Sequence, residues 1–462
     1  MDWLATDLMP DAVLALAGLT VLGLGAGFRR APRWLLLAVS LAGLCWAGLY
    51  AFVPGSSGLW TGAEGLSRCF TGLICATAGL GLLLMHRYAH ERGFSGDALY
   101  GLVLWSSLGM LLTAQADNLM LLTVGVALMS LCQYALIASR RDDPLAVEAA
   151  LKYFLPGAVA LAAILFGVAL VYAGTGEMGL TAAWSKHSAT AGAGWALILV
   201  GIGFKLSLAP VHLWTPDVYQ GAPAPVTAFL STGSKAAVAA VILRLALTAD
   251  AGPAPVLQAV AALTMVAGGV AALCQTSLKR LLAYSSISQM GYLAMAALAV
   301  RDGGERAGVF YLCVYVLAEL GAFGAVGLLS GGEADRDAVA DYRGLGFSHP
   351  WRAGLLALSL ACLGGLPPTA GFVAKFAVFE AALHAGLTAL AVCGVAVALA
   401  SLYNCLRVVV VLYTPGEQGP ATAVSPTGFA GGAAALAIDA LLIGLGLFPA
   451  ALMAALAFLL PG

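Results

Sequence analysis

Runs of about 20 apolar residues, each long enough to cross a bilayer as a helix, recur along this chain and constrain what it can fold into. The first starts near Asp11 and the last near Gly431, and about fourteen fit between them. Of 462 residues, 61% are hydrophobic and 10% charged, with mean hydropathy +0.94. A soluble domain carries roughly 25% charged residues. Lipid must be the solvent here, and the expected fold is an all-α polytopic membrane protein. The links between runs are short and leave no room for a soluble domain. The longest polar one, Gly331–Arg352, is of surface-loop size. A net charge of −1 offers no basic face to nucleic acid.

Basic residues gather in alternate links: Arg29, Arg30 and Arg33, then Arg87 and Arg92, Arg140 and Arg141, Lys279 and Arg280, and Arg336, Arg343 and Arg352. The positive-inside rule then places both termini on the periplasmic side, which an even number of spans satisfies. The acidic start MDWLATD reads as the lead into a retained first span, since a cleaved leader is basic there. Nine cysteines are scattered without a CxxC pair, so no iron–sulfur cluster, zinc site or disulfide framework is expected. His86 and His90, spaced i,i+4, lie in a basic link with no cysteine or matched acid nearby and read as solvated residues. Neither GxGxxG nor a P-loop occurs, so NADH and ATP are not bound by those routes.

The chemistry resides in the few charges inside spans. In GFKLSLAPVHLWTPDVYQGAPAPV, Lys205 stands five residues before Pro210. A mid-bilayer lysine costs about 2.5–3.5 kcal/mol on insertion scales and is kept inside the bundle. Burial disfavours its charged form and a nearby carboxylate favours it, so a lysine between these influences can take up and release a proton. Proline frees backbone carbonyls that only protein or water can satisfy. GGLPPTAGFVAKF repeats the pattern five spans later, with Pro367 and Pro368 near Lys375. Five is odd, so two five-helix units would be inverted relative to each other, as in transporters with broken helices. Lys235 lies in the span after Lys205. His212, seven residues from Lys205, would share its helical face. Glu319 is a carboxylate deep in an apolar run that needs a partner. Arg407 is a cation within a span, to be paired with an acid or snorkelling. Lys152, in EAALKYF, is either a snorkelling anchor or a relay entry. Ser285, Ser286, Ser288 and Gln289 form a polar stripe that holds water or joins helices.

The stretch GFKLSLAPVHLWTPDVYQGAPAPV closely resembles the N subunits of bacterial proton-pumping NADH–quinone oxidoreductases (respiratory complex I), counterparts of mitochondrial subunit 2. EAALKYF, SLKRLLAYSSISQMGY and GGLPPTAGFVAKF match the same family in order, and the resemblance runs from about residue 97 to the C-terminus. It implies about fourteen transmembrane helices, with helices 7 and 12 broken. It also implies three N-terminal helices over 1–96, inverted five-helix repeats over 97–250 and 251–413, and a last helix over 414–462. It assigns relay roles to Lys152, Lys205, Lys235 and Lys375, to which His212 and Glu319 are candidate additions. No catalytic residue, cofactor or metal belongs to such a subunit. Its partners are the bilayer, an adjacent antiporter-like subunit and small membrane subunits, in the bacterial inner membrane.

One position departs from that pattern. Where the family has a helix-5 glutamate, the expected partner of the helix-7 lysine, GVALMSL has Ala127. Asp117 and Glu319 are the candidate substitutes. Related redox-driven pumps, Mrp-type cation/proton antiporters and a subunit without proton transfer remain as alternatives; TPDVYQGAP argues against the antiporter.

Overall fold

The computed structural model describes residues 9–27, 32–53, 64–92, 96–186, 188–248, 254–331, 334–415 and 428–460. Arg29, Arg30 and the acidic start before Met9 lie outside the described residues. In chain order the α-helices are α1 (Met9–Gly27), α2 (Arg33–Tyr50), α3 (Glu64–Glu91), α4 (Gly96–Gln115), α5 (Leu119–Ile137), α6 (Pro144–Thr175), the short α7 (Leu180–Ser185) and α8 (Ala189–Leu206). There follow α9 (Trp214–Gly221), α10 (Ala224–Thr248), α11 (Ala254–Leu273), α12 (Leu278–Leu298), α13 (Gly304–Leu329), the one-turn α14 (Leu345–Ser348), α15 (Pro350–Gly364), α16 (Ala370–His384), α17 (Thr388–Leu412), α18 (Phe429–Leu447) and α19 (Pro449–Leu459). Among the described residues there is no strand.

Thirteen of these helices are long and apolar enough to cross a membrane. The expected twelfth span is the pair α15 and α16, of 15 residues each. At 1.5 Å per residue each covers about 22 Å, less than the hydrocarbon core, so the two make one span broken by Gly365–Thr369. Counted so, the fourteen expected spans are all present. Both breaks fall at proline. α8 stops at Leu206, Ser207 takes a left-handed φ of 59°, and a cis peptide precedes Pro210. α15 stops at Gly364, Gly365 takes φ 79°, and the Pro367–Pro368 bond is cis.

The chain divides into two compact units. One comprises Met1–Leu82, Phe94–Leu206 and Gly233–Gly252. Within it α6 and α8 approach closely because Gly167 and Gly194 face each other: a Cβ on either would lie 2.6 Å from the other's carbonyl oxygen. Small residues admit such contacts between apolar helices. Asn118 caps α5 by accepting from Leu121 N (2.8 Å) and forms an antiparallel bridge with Gly179. Buried Arg244 on α10 donates to the carbonyls of Ala114 (2.7 Å) and Ala116, which close α4. Those carbonyls have no helical donor, and a cation complements the helix C-terminus.

The other unit comprises Leu83–Gly93, Ser207–Thr232 and Pro253–Gly462, and has the same devices. Ser277 caps α12 and bridges Ala338. Arg407 on α17 donates to the carbonyls of Leu273 (3.0 Å) and Gln275 (2.8 Å) at the end of α11. Among the described residues no acid pairs with it; orphan carbonyls supply its acceptors. The link after α13 is pinned by Asp335, whose side chain is 8% exposed. Its oxygens accept from Arg92 (2.7 Å), Tyr88 (2.8 Å), Lys279 (3.2 Å) and the amide of Ala224 (2.9 Å).

Burial alone would raise the Asp335 pKa. Lys279 and Arg92, helped by Tyr88 and the Ala224 amide, outweigh it and hold the carboxyl below its ordinary value. A depressed folded pKa contributes stability that is present above the unfolded pKa and lost as pH falls through the folded one. The Asp335 contribution is therefore expected to disappear only below about pH 4. Asp335→Asn leaves two buried cations without their anion, at a cost of about 3–5 kcal/mol. At neutral pH its thermal unfolding midpoint in detergent should fall below that of the unsubstituted protein, with the difference shrinking in acid.

Candidate functional site

Lys205 sits in the last turn of α8 and is 3% exposed. Its Nζ donates to Tyr153 Oη on α6 at 2.9 Å, and Tyr153 Oη donates to Gln133 Oε1 on α5 at 2.9 Å. The rings of Tyr153, Tyr134 and Phe204 stand 4.6, 5.6 and 5.8 Å from the ammonium, within cation–π range. Tyr153 and Gly157 share the inner face of α6 at i,i+4 spacing. Gly157 leaves room for the Tyr134 hydroxyl, which a Cβ there would displace. Among the described residues no carboxylate lies within ion-pair distance of Lys205. Asp117, one candidate substitute, instead accepts from the Asn118 side chain at 2.9 Å at the start of α5.

His212 does not share a helical face with Lys205, because α8 ends at Leu206 and α9 begins at Trp214. The intervening Pro210 and the left-handed Ser207 replace that turn of helix. His212 is half-buried in the break. Lys235 is 1% exposed in α10. Lys152 is different: its side chain is 46% exposed and pairs at 2.8 Å with Glu148, itself 57% exposed, on the outer face of α6.

Lys375 occupies α16 and is 4% exposed. Its Nζ donates across the break to the carbonyls of Leu363 (2.8 Å) and Gly364 (3.0 Å), the last of α15. Gln289 Nε2 donates to the same Leu363 carbonyl at 3.0 Å, and Tyr311 Oη donates to Gln289 Oε1. Tyr315 shares a hydrogen bond with Ser286 (2.6 Å) and donates to Ser231 O (3.0 Å). Gln289, Tyr311, Tyr315, Cys362 and Lys375 line a small cavity. Glu319 is fully buried one helical turn beyond Tyr315 and lies in electrostatic range of Tyr219, Tyr311 and Tyr315. The polar stripe on α12 thus joins helices through Ser286 and Gln289. Among the described residues the hydroxyls of Ser285 and Ser288 are buried without a hydrogen-bond partner, and a water would satisfy them.

The chain matches the family model for the membrane part of NADH:quinone oxidoreductases and Mrp antiporters over residues 116–401. It is 53% identical to NADH-quinone oxidoreductase subunit N 1 of Solidesulfovibrio magneticus, over 98% of both chains. The chain belongs to the NADH:quinone oxidoreductase/Mrp antiporter family. Among solved structures it resembles a chain of respiratory complex I from Thermus thermophilus, with TM-score 0.85 and 36% identity over 97% of this chain and 99% of that one. A chain of the Mrp complex of a Dietzia species shares the fold, with TM-score 0.82 and 21% identity over 99% and 98%.

Within this NADH:quinone oxidoreductase/Mrp antiporter chain, the two break lysines have unlike surroundings. Lys205 binds a phenol, whereas Lys375 binds backbone. Ala127 is half-buried on α5, two turns before Tyr134. Sequence reasoning did not single out Tyr153, Gln133, Tyr311 or Tyr315. Tyr311, Tyr315 and Glu319 did carry a usable signal, since i, i+4, i+8 spacing puts them on one helix face.

Gly365 permits the Lys375 contact. A Cβ there would lie 3.0 Å from Lys375 Cδ, on a backbone at φ 79° that side chains rarely adopt. Gly365→Ala should destabilise the protein by about 1–3 kcal/mol, read as a lower thermal midpoint of the detergent-solubilised protein. An unchanged midpoint would show that the break relaxes freely.

Proposed function

We propose that this chain is a membrane-arm subunit of a proton-pumping NADH–quinone oxidoreductase. It carries protons through a relay of buried lysines and water while redox chemistry runs in other subunits. The observation that carries the reading is the burial of Lys205, Lys235 and Lys375, each at most 4% exposed, in apolar helices. A buried amine stays in place only because something uses or satisfies it. The relay is Lys152, Lys205, Lys235 and Lys375, with His212 at the first break and Glu319 beside the second. Lys152 is the relay end that opens to the outside of this chain, as its exposed pair with Glu148 supports.

The NADH–quinone assignment rests on the named relatives and on the Thermus complex. Its partners would be an adjacent antiporter-like subunit and small membrane subunits, in the bacterial inner membrane with both termini periplasmic. No cofactor is assigned to this chain. The repeats proposed over 97–250 and 251–413 are supported by paired devices: a proline break with a lysine, an arginine closing a helix end, and a capped bridge, once in each proposed repeat.

A second reading is favoured by one observation. Lys205 has no carboxylate at ion-pair distance among the described residues. On that reading the subunit has lost its own proton transfer and serves structurally. The two readings separate in inverted membrane vesicles of the host strain. Lys235→Ala and Lys375→Ala should each lower the pumping rate by about tenfold or more while the complex still assembles. Ala127→Glu, which restores an acid, should change the rate. Wild-type pumping in all three variants would establish the structural reading.

A further inference from the structure

Three buried side chains around the first break form a set whose order is fixed by hydrogen-bond chemistry. Lys205 has only protons to donate when charged, and its Nζ points at Tyr153 Oη, 2.9 Å away. A phenol has one proton and accepts through its lone pairs. The Tyr153 proton goes to Gln133 Oε1, also at 2.9 Å, which turns the Tyr153 lone pairs towards the lysine. All three are buried, at 3%, 0% and 1% exposure. The Tyr153 and Tyr134 rings add their faces, Tyr134 being seated against Gly157. Nothing in this set carries a negative charge.

Gln133 supplies a second observation. Its Nε2 is buried without a hydrogen-bond partner among the described residues, which is costly unless something accepts from it. The amide therefore faces a place for one acceptor, and a water molecule is the smallest that fits the chemistry.

We propose that Tyr153, oriented by Gln133, is the positioning residue for Lys205, and that a water held by Gln133 Nε2 completes this uncharged acceptor set. The proposal deepens the relay reading and rests on it. Tyr153 acts through Lys205. It sets where the amine points and how readily the amine holds its proton, without itself becoming charged. Gln133 acts through Tyr153, by fixing the rotor of its hydroxyl.

The test uses the assembled complex in inverted vesicles, with proton pumping measured against pH for Lys205→Ala, Tyr153→Phe, Gln133→Leu, Gln133→Glu and the double variant Tyr153→Phe with Gln133→Leu. Tyr153→Phe keeps the ring and removes the acceptor; pumping should fall about tenfold, the scale of a hydrogen bond to a charged group. The double variant should be no worse than Tyr153→Phe alone, because Gln133 works through the hydroxyl that is gone. Gln133→Glu places a carboxylate behind the phenol. Its pH profile should be displaced in the opposite sense from that of Tyr153→Phe, a shift that a merely structural role would not produce. If Lys205→Ala abolishes pumping but Tyr153→Phe keeps wild-type pumping and pH profile, the proposal is overturned and the relay reading stands. If Lys205→Ala pumps normally, the relay reading itself fails. Should Tyr153→Phe not assemble, Gln133→Leu decides in its place: a wild-type profile there overturns the proposal.

Discussion

A cation inside a lipid-solvated chain must be given acceptors, and each unit of this structure is arranged around that demand. Lipid offers no acceptor, so a side chain, a backbone carbonyl or a water held inside the protein has to serve. Helix ends are the natural source of carbonyls, because the last four of any helix lack a donor. Arg244 closes α4 in this way and Arg407 closes α11. Lys375 uses a helix end that exists only because the chain breaks after Gly364. The break therefore does more than interrupt a span. It creates the acceptor that lets a lysine remain beside it.

Lys205 follows the other route. It too stands at a break, but its acceptor is the Tyr153 phenol, backed by Gln133 and ringed by aromatic faces. A phenol holds an ammonium without neutralising it, so the charged form is supported less than a carboxylate would support it. That difference gives Ala127 its meaning. The absent acid is not replaced by Asp117, which is engaged at the start of α5. Glu319 lies among the tyrosines of the other unit, in range of Tyr311 and Tyr315. Two lysines that look alike in sequence thus have different local chemistry.

Much of this was legible from residue order, and the limits have a physical origin. The spans were visible because crossing hydrocarbon takes about 20 apolar residues. Even the divided twelfth was marked by Pro367 and Pro368. The lysines were visible because a charge in such a run has few innocent explanations. Their acceptors were not. Tyr153 is 52 residues before Lys205 and Gln133 is 20 before Tyr153. In helices apolar on nearly every face, the pattern does not say which face meets which neighbour. The expected face shared by Lys205 and His212 failed for a related reason. Seven-residue spacing means two turns only while the helix continues, and α8 stops one residue after Lys205.

The claim on which this account turns is that Lys205 is held by an uncharged partner. A density map of the assembled complex, fine enough to resolve side-chain hydrogen bonds, tests it most directly. The account predicts continuous contact from Lys205 Nζ to Tyr153 Oη and on to Gln133, with an ordered water at the Gln133 amide nitrogen. A carboxylate from this chain or a neighbouring subunit bound to Lys205, with Tyr153 turned away, would contradict it.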